Sequence, residues 1–98
     1  MKVSEVTVEY VANYLRLDDP SEIELSEIEV FMDSSKAFIR SNTGLSDSEI
    51  DKHDDMVHPY LLYIADQFDN RNGHIENKQS TVNQSIMETL RRHAVNYI

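Results

Sequence analysis

The chain has 98 residues, of which 18 are acidic and 9 are basic, so its formal net charge is -9. A chain of this length is expected to form one domain, residues 1–98, and so acidic a surface argues against binding along the phosphate backbone of DNA. The lack of cysteine excludes disulfides and thiolate metal sites, and no apolar run approaches the ~18 residues of a membrane span.

The first two helices are predicted from apolar residues at helical spacing and from capping residues. Thr7 is a suitable N-cap for a helix whose apolar face ends at Leu15, and the acidic pair before Pro20 is predicted to end it. The second helix is predicted to begin with Asp19 as cap and Pro20 in its first turn, and to stop where Gly44 adopts a left-handed conformation. Its predicted buried stripe comprises Leu25, Ile28, Phe31, Met32, Ser35, Phe38 and Ile39.

The middle of the chain contains a second helix-start signal. Ser46-Asp47-Ser48-Glu49 is a capping box, which predicts a short helix through Ile50 that ends near His53. A longer helix is predicted to extend to about Asn70, and it either starts at Pro59 or is distorted there.

The last predicted helix follows a polar stretch. Residues 71–79 are predicted to form a loop around Asn72-Gly73, a strong turn pair. The helix is expected to start at about Thr81, or with Asn83 as its cap, and to reach Asn96. Its predicted stripe comprises Val82, Ile86, Leu90, Ala94 and Tyr97. With few breakers elsewhere, the sequence predicts an all-α fold, a small bundle of four to five helices with short loops.

One sequence segment concentrates residue types that ligate metals, namely His53, Asp54, Asp55 and His58. Asp54 and His58 are four positions apart and can share a helix face, whereas His53 and His58, five apart, cannot. The pair His53-Asp54 resembles that of metal-dependent phosphohydrolases. Such enzymes need further ligands on separate helices, and the other histidines, His74 and His93, stand in weak sequence contexts. We therefore expect no metal site here, and we interpret the segment as a helix start with Asp54 or Asp55 as its cap.

Other chemistries find little support in the sequence. A calcium loop around Gly73 would need carboxylates where Phe68 and Gln79 stand. A phosphate-binding loop would need more glycines than Gly44 and Gly73, and no serine stands beside a suitable base or in a glycine-rich elbow. We expect no catalytic residues and no cofactor, and hence a protein that is not an enzyme.

Aromatic, apolar and basic residues outside the predicted stripes suggest a surface that contacts a partner. Tyr10 and Tyr14 are four positions apart on a second face of the first helix. The alternative is that the tyrosines lie half-buried at the rim of the core and that the arginines complement helix dipoles. The candidate partner or oligomer contacts are Tyr10, Tyr14, Tyr63, Arg71, Met87, Arg91, Arg92, Tyr97 and Ile98.

Four short motifs carry a resemblance that extends from about Val6 to the last residue. They are Tyr14-Leu15-Arg16-Leu17-Asp18, Ala37-Phe38-Ile39 leading to Thr43-Gly44, Phe68-Asp69-Asn70-Arg71 and Leu90-Arg91-Arg92. In order and spacing the chain resembles the small head–tail connector (adaptor) proteins of long-tailed bacteriophages and prophages.

The resemblance implies a helical subunit that forms a homo-oligomeric ring and has neither enzymatic activity nor a cofactor. The ring would join the portal protein to stopper or tail-completion proteins in the virion, after assembly in the bacterial cytoplasm. DNA would pass through without sequence-specific binding, and the acidic residues would line or flank the channel. The stretch 71–82 and the last helix, with Arg91 and Arg92, would be docking elements.

Two other classes of function compete with the connector interpretation. The first is a small acidic regulatory or inhibitor protein of the DNA-mimic type that binds a protein partner. A mimic needs regularly spaced acids over one continuous face, whereas the acids here gather at predicted helix starts. The second is a metal phosphohydrolase using His53 and Asp54, for which the remaining ligands are not evident in the sequence.

Overall fold

A computed structural model of the chain describes residues 1–71 and 79–94, with side chains described from residue 84 onward in the second stretch. Within these ranges the structure contains α-helices, short 3-10 turns and no strand. The helices are α1 (Val8–Tyr14), α2 (Glu22–Thr43), α3 (Asp47–Ile50), α4 (Val57–Asp69) and α5 (Gln79–His93), and the 3-10 turns are Val3–Glu5 and Asp54–Met56. The predicted all-α bundle is confirmed.

The core lies where α2, α4 and α5 meet. Helices α2 and α4 pack against each other, α5 packs against both, and α1 covers α2. The 3-10 turn Asp54–Met56 packs against α4 and α5. The largest fully buried side chains are Tyr60, Ile28, Ile39, Met56, Ile64, Ile86, Leu90 and Val11. Among the described residues, no helix is both long enough and apolar enough to cross a membrane.

The start of α2 differs from the prediction. Ser21 is the N-cap: its Oγ accepts a hydrogen bond from the Glu24 N–H at 3.1 Å, and Glu24 Oε1 accepts one from the Ser21 N–H at 3.0 Å. Asp19 has a positive φ of 50° and lies before the helix together with Pro20. The predicted Asp19 cap is therefore wrong, because the Ser21 capping box satisfies two helix-start N–H groups at once.

Three other helix ends that the sequence predicts are confirmed. Thr7 Oγ1 accepts a hydrogen bond from the Tyr10 N–H at 3.0 Å at the start of α1. Gly44 ends α2 with a left-handed φ of 75°, and Ser46 and Glu49 form the predicted capping box of α3. These contacts satisfy backbone groups that have no partner inside the helix.

The segment before α4 does not use the predicted caps. Met56 is the N-cap of α4 and His53 that of the preceding 3-10 turn, neither with a side-chain capping hydrogen bond. The expectation that Asp54 or Asp55 caps a helix here is therefore wrong. Helix α4 begins two residues before Pro59, which lies in the first turn, where a missing N–H breaks no intrahelical hydrogen bond.

Helix α5 starts at Gln79, two residues before the predicted Thr81 and inside the predicted polar loop. It ends at His93, whereas the predicted end, Asn96, lies outside the described residues. Of the predicted stripe, Ile86 and Leu90 are fully buried, and Ala94 is half-buried beyond the helix end. The side chain of Val82 and all of Tyr97 fall outside the described part of the chain.

Candidate functional site

The two most exposed large apolar side chains among the described residues lie on the first half of α2. Ile23 is 75% exposed and Val30 is 62% exposed. They are seven positions apart, so they lie on one face of the helix, one above the other. With their neighbours they line a shallow groove, here called the α2 groove: Glu22, Ile23, Ser26, Glu27, Val30 and Phe31. The sequence interpretation missed both side chains, although their heptad spacing outside the buried stripe is a signal that reveals them.

Arg71 borders this groove through contacts within the chain. Its Nε lies 3.4 Å from Glu27 Oε2, and its Cζ lies 3.7 Å from the centre of the Phe68 ring. Phe68 in turn meets Phe31 edge to face, with ring centroids 6.4 Å apart. Arg71, a predicted partner contact, therefore joins the end of α4 to α2 and helps to fix the groove wall.

The predicted tyrosine contacts separate into two kinds. Tyr10 and Tyr14 are exposed on α1, where an apolar ring is presented to solvent. Tyr63 is half-buried and stacks on Phe38, with ring centroids 4.1 Å apart and ring planes 8° from parallel. Burial raises the pKa of the Tyr63 hydroxyl, as does the nearby Asp66 carboxylate. Tyr63 thus packs α4 against α2, while Tyr10 and Tyr14 remain surface residues.

A second groove lies on the outer side of α5, here called the α5 groove, and is lined by Gln84, Met87, Glu88 and Arg91. Met87 and Arg91, both predicted contacts, are brought together there, although Met87 also packs partly against the core. Arg92 is exposed and donates a hydrogen bond to Thr89 Oγ1 at 3.2 Å. The remaining predicted contacts, Tyr97 and Ile98, lie outside the described residues.

The structure also assembles a cluster of His53, Asp55 and His93, here called the histidine cluster. The His93 Nε2 lies 2.8 Å from Asp55 Oδ2, and the rings of His53 and His93 have centroids 4.1 Å apart. The hydrogen bond with His93 holds the pKa of the Asp55 carboxyl below its ordinary value. Asp54 and His58, which the sequence grouped with this segment, are exposed and do not belong to the cluster.

His93 was missed because it lies 38 positions after Asp55. Nothing in the local sequence around either residue indicates the pairing. It arises because α5 runs back along α4, so that the last residue of α5 reaches the 3-10 turn before α4.

A polar connection inside the bundle lies between α4 and α2. Gln67 Nε2 donates a hydrogen bond to the fully buried Ser35 Oγ at 2.9 Å, and Gln67 Oε1 accepts one from Ser34 Oγ at 2.8 Å. Burial raises the pKa of Asp66, next to Gln67. The contacts of Gln67 hold the two helices in register, and they place no serine beside a basic side chain of the kind that nucleophilic catalysis requires.

Comparison with known proteins identifies no relative of this chain. No family model, curated protein or solved structure matches the chain. The short motifs of the sequence and the surfaces of the described residues are therefore the indications of function.

Proposed function

We propose that this chain is a structural assembly subunit of the phage head–tail connector (adaptor) type. It would form a ring that joins a portal protein to stopper or tail-completion proteins in the virion. The observation that carries the proposal is the α2 groove, in which Ile23 and Val30 are more than half exposed on the longest helix. Apolar side chains grouped in this way on a small protein mark a surface that another protein covers.

A closed ring requires two different surfaces on each subunit, because each copy contacts its neighbour head to tail. The α2 groove provides one apolar surface. The exposed rings of Tyr10 and Tyr14 on α1 provide an apolar surface on a different helix. Tyrosine is enriched at protein interfaces because its ring buries a large area while its hydroxyl remains hydrated. Two apolar surfaces on separate elements thus support head-to-tail association.

The charge of the chain supports a role in which DNA passes without being held. With a net charge of -9, a ring of identical subunits carries this surplus many times over. Such a surface repels the phosphate backbone, so DNA moves past it with little retention. A basic channel would bind the DNA instead.

The motifs that carry the resemblance to connector proteins share one structural position. They lie at or next to the C-terminal ends of α1, α2, α4 and α5. The resemblance therefore concerns the helix ends and the connections between helices, which set the order of packing in a bundle. It supports the connector proposal alongside the exposed apolar groove.

The oligomeric state tests this proposal. Light scattering coupled to size exclusion is expected to show either a large closed ring or stoichiometric recruitment of the chain onto a cognate portal protein. Val30→Asp should abolish that association, because it places a charge in the α2 groove. Ser48→Asp is the matched control, since it adds the same charge at an exposed position of α3. A monomer or dimer that ignores the portal would refute the connector proposal and favour the acidic inhibitor alternative.

A further inference from the structure

The histidine cluster joins two parts of the fold that are distant in sequence. Asp55 belongs to the 3-10 turn that precedes α4, His53 is the N-cap of that turn, and His93 is the last residue of α5. One potential ligand atom from each of the three side chains lies within 4.8 Å of the other two. The cluster is separate from the α2 groove and from the α5 groove, and the proposed connector role does not use it.

We propose that His53, Asp55 and His93 bind one divalent transition-metal cation of the Zn²⁺ class. Two imidazole nitrogens and one carboxylate oxygen are ligands that Zn²⁺ prefers, and three protein ligands leave a fourth position for water. Asp55 is 51% exposed and His93 is 19% exposed, so water reaches the site while the imidazole stays largely sheltered. The bound cation links the end of α5 to the segment at the start of α4.

The separations are close to those of a tetrahedral site. Ligand atoms around a Zn²⁺ ion at ~2.0–2.1 Å are about 3.3 Å apart. The distance between His93 Nε2 and Asp55 Oδ2, 2.8 Å, has to increase slightly when the ion binds. The largest distance between two ligand atoms, within 4.8 Å, has to decrease by roughly 1–1.5 Å. Side-chain rotations of this size require no movement of the helices.

Metal binding replaces a proton in the cluster. In the hydrogen-bonded form, His93 Nε2 carries the proton that it shares with Asp55 Oδ2. When Nε2 coordinates Zn²⁺, the imidazole is neutral with its proton on Nδ1, and the Asp55 carboxylate remains ionised. A doubly protonated ring releases its Nε2 proton to solvent, and a neutral ring moves that proton through water from Nε2 to Nδ1. No oxidant or reductant is involved.

The electrostatic surroundings contain contributions of both signs. His93 ends α5, where the partial negative charge of a helix C-terminus favours a cation. Asp54, exposed beside Asp55, adds a nearby carboxylate. Arg92 lies close enough to lower the pKa of Asp55 and opposes the cation. The chain as a whole, at -9, attracts divalent cations.

A purely structural role of the cluster makes a different prediction. In that account only the hydrogen bond between Asp55 and His93 matters, and His53 contributes ring stacking alone. Replacement of any member would then change stability equally with and without metal. The metal proposal instead requires that His53 and His93 both contribute to a saturable Zn²⁺ affinity.

The test is calorimetric titration of the full, untagged and chelator-treated chain with ZnCl₂. The expected result is saturable binding of one Zn²⁺ per chain, with an affinity that falls about tenfold or more in His53→Gln and in His93→Gln. His58→Gln is the matched control, because His58 is exposed nearby and outside the cluster; it should bind Zn²⁺ like the wild type. At a free Zn²⁺ concentration about 100 times Kd, the melting temperature should rise by roughly 10 °C.

A second readout needs no variant. In the wild-type chain, Zn²⁺ should shift the imidazole NMR signals of His53 and His93 and leave those of His58 unchanged. Absence of saturable binding, or binding that persists unchanged in both His53→Gln and His93→Gln, would overturn the metal site. Because the proposed ring is tested separately by its mass, failure of the metal site leaves the connector proposal untouched.

Discussion

The guanidinium of Arg71 lies over the ring of Phe68, with its Cζ 3.7 Å from the ring centre. Both residues stand at the end of α4, and the same guanidinium faces Glu27 of α2 at 3.4 Å. A cation over an aromatic face gains electrostatic attraction from the ring quadrupole. This arrangement attaches the last turn of α4 to the first half of α2, and it thereby holds Glu27, one of the side chains that line the α2 groove.

Replacement of Arg71 by Ala should lower the free energy of unfolding by about 1–2 kcal/mol, since both the ring contact and the ion pair are lost. Lys should restore only part of the loss, because an ammonium does not stack on a ring as a guanidinium does. Urea denaturation followed by circular dichroism measures the change. Arg91→Ala, on the exposed side of α5, is the control and should change stability by less than about 0.5 kcal/mol. Equal effects of the two alanine variants would contradict the assigned role of Arg71.

Tyr60 is fully buried, and its hydroxyl has no hydrogen-bond partner among the groups that the structure describes. Burial raises the pKa of this hydroxyl, as does the nearby Asp33 carboxylate. Tyr60→Phe removes an unsatisfied polar atom, so the variant should be as stable as the wild type or more stable by up to about 1–2 kcal/mol. The midpoint of urea unfolding reports the outcome. A loss greater than about 1 kcal/mol would indicate that the hydroxyl has a partner in solution.

We predict that Asp51 makes the stability of the folded chain sensitive to acid. The Asp51 carboxylate accepts a hydrogen bond from the Ser4 N–H at 3.1 Å. Hydrogen bonding with the Ser4 side chain and with this N–H lowers the pKa of Asp51 from its ordinary value of 3.8. A carboxyl whose pKa is lowered on folding stabilises the native state above its unfolded pKa and loses that contribution as pH falls through the folded pKa. Asp51→Asn should therefore unfold with a shallower dependence on pH below about 4. Stability measured at several acidic pH values should show this difference, and identical slopes for variant and wild type would refute it.

Gly44 ends α2 in the left-handed region, at φ 75°. A side chain with a Cβ is strained in this conformation, so Gly44→Ala should cost about 1 kcal/mol of stability. Asn tolerates the same region better, and Gly44→Asn should cost less than Gly44→Ala. Thermal unfolding of the two variants tests this order. If Ala proved the milder replacement, the left-handed helix end would not be present in solution.

Local signals in the sequence predicted most of the helices. Thr7, Gly44 and Ser46 occupy the helix ends that their residue types predicted, because a cap and its partners lie within four positions. The start of α2 was misplaced because Asp19 and Ser21 both suit a cap. Only the Ser21 box pairs with Glu24 in both directions, and Asp19, with its φ of 50°, lies in the bend that precedes the helix.

The candidate surface was only partly predictable. Tyr10 and Tyr14 are exposed on α1 and stay predicted partner contacts, whereas Tyr63 packs on Phe38 and Arg71 packs on Phe68 within the chain. Their spacing does not distinguish a partner from a neighbouring helix. The exposure of Ile23 was not predicted for the same reason. An apolar residue outside the buried stripe of its helix is exposed only when no other element covers it.

The sequence by itself determined that this chain is acidic, helical and divided by its caps into short and long helices, because helical periodicity and capping depend on residues at most four positions apart. The tertiary structure decided which distant side chains meet. The return of α5 along α4 places His93 beside Asp55 and His53, and the packing of α4 on α2 places Arg71 against Glu27. Such meetings depend on how whole helices pack, and no local spacing encodes that packing.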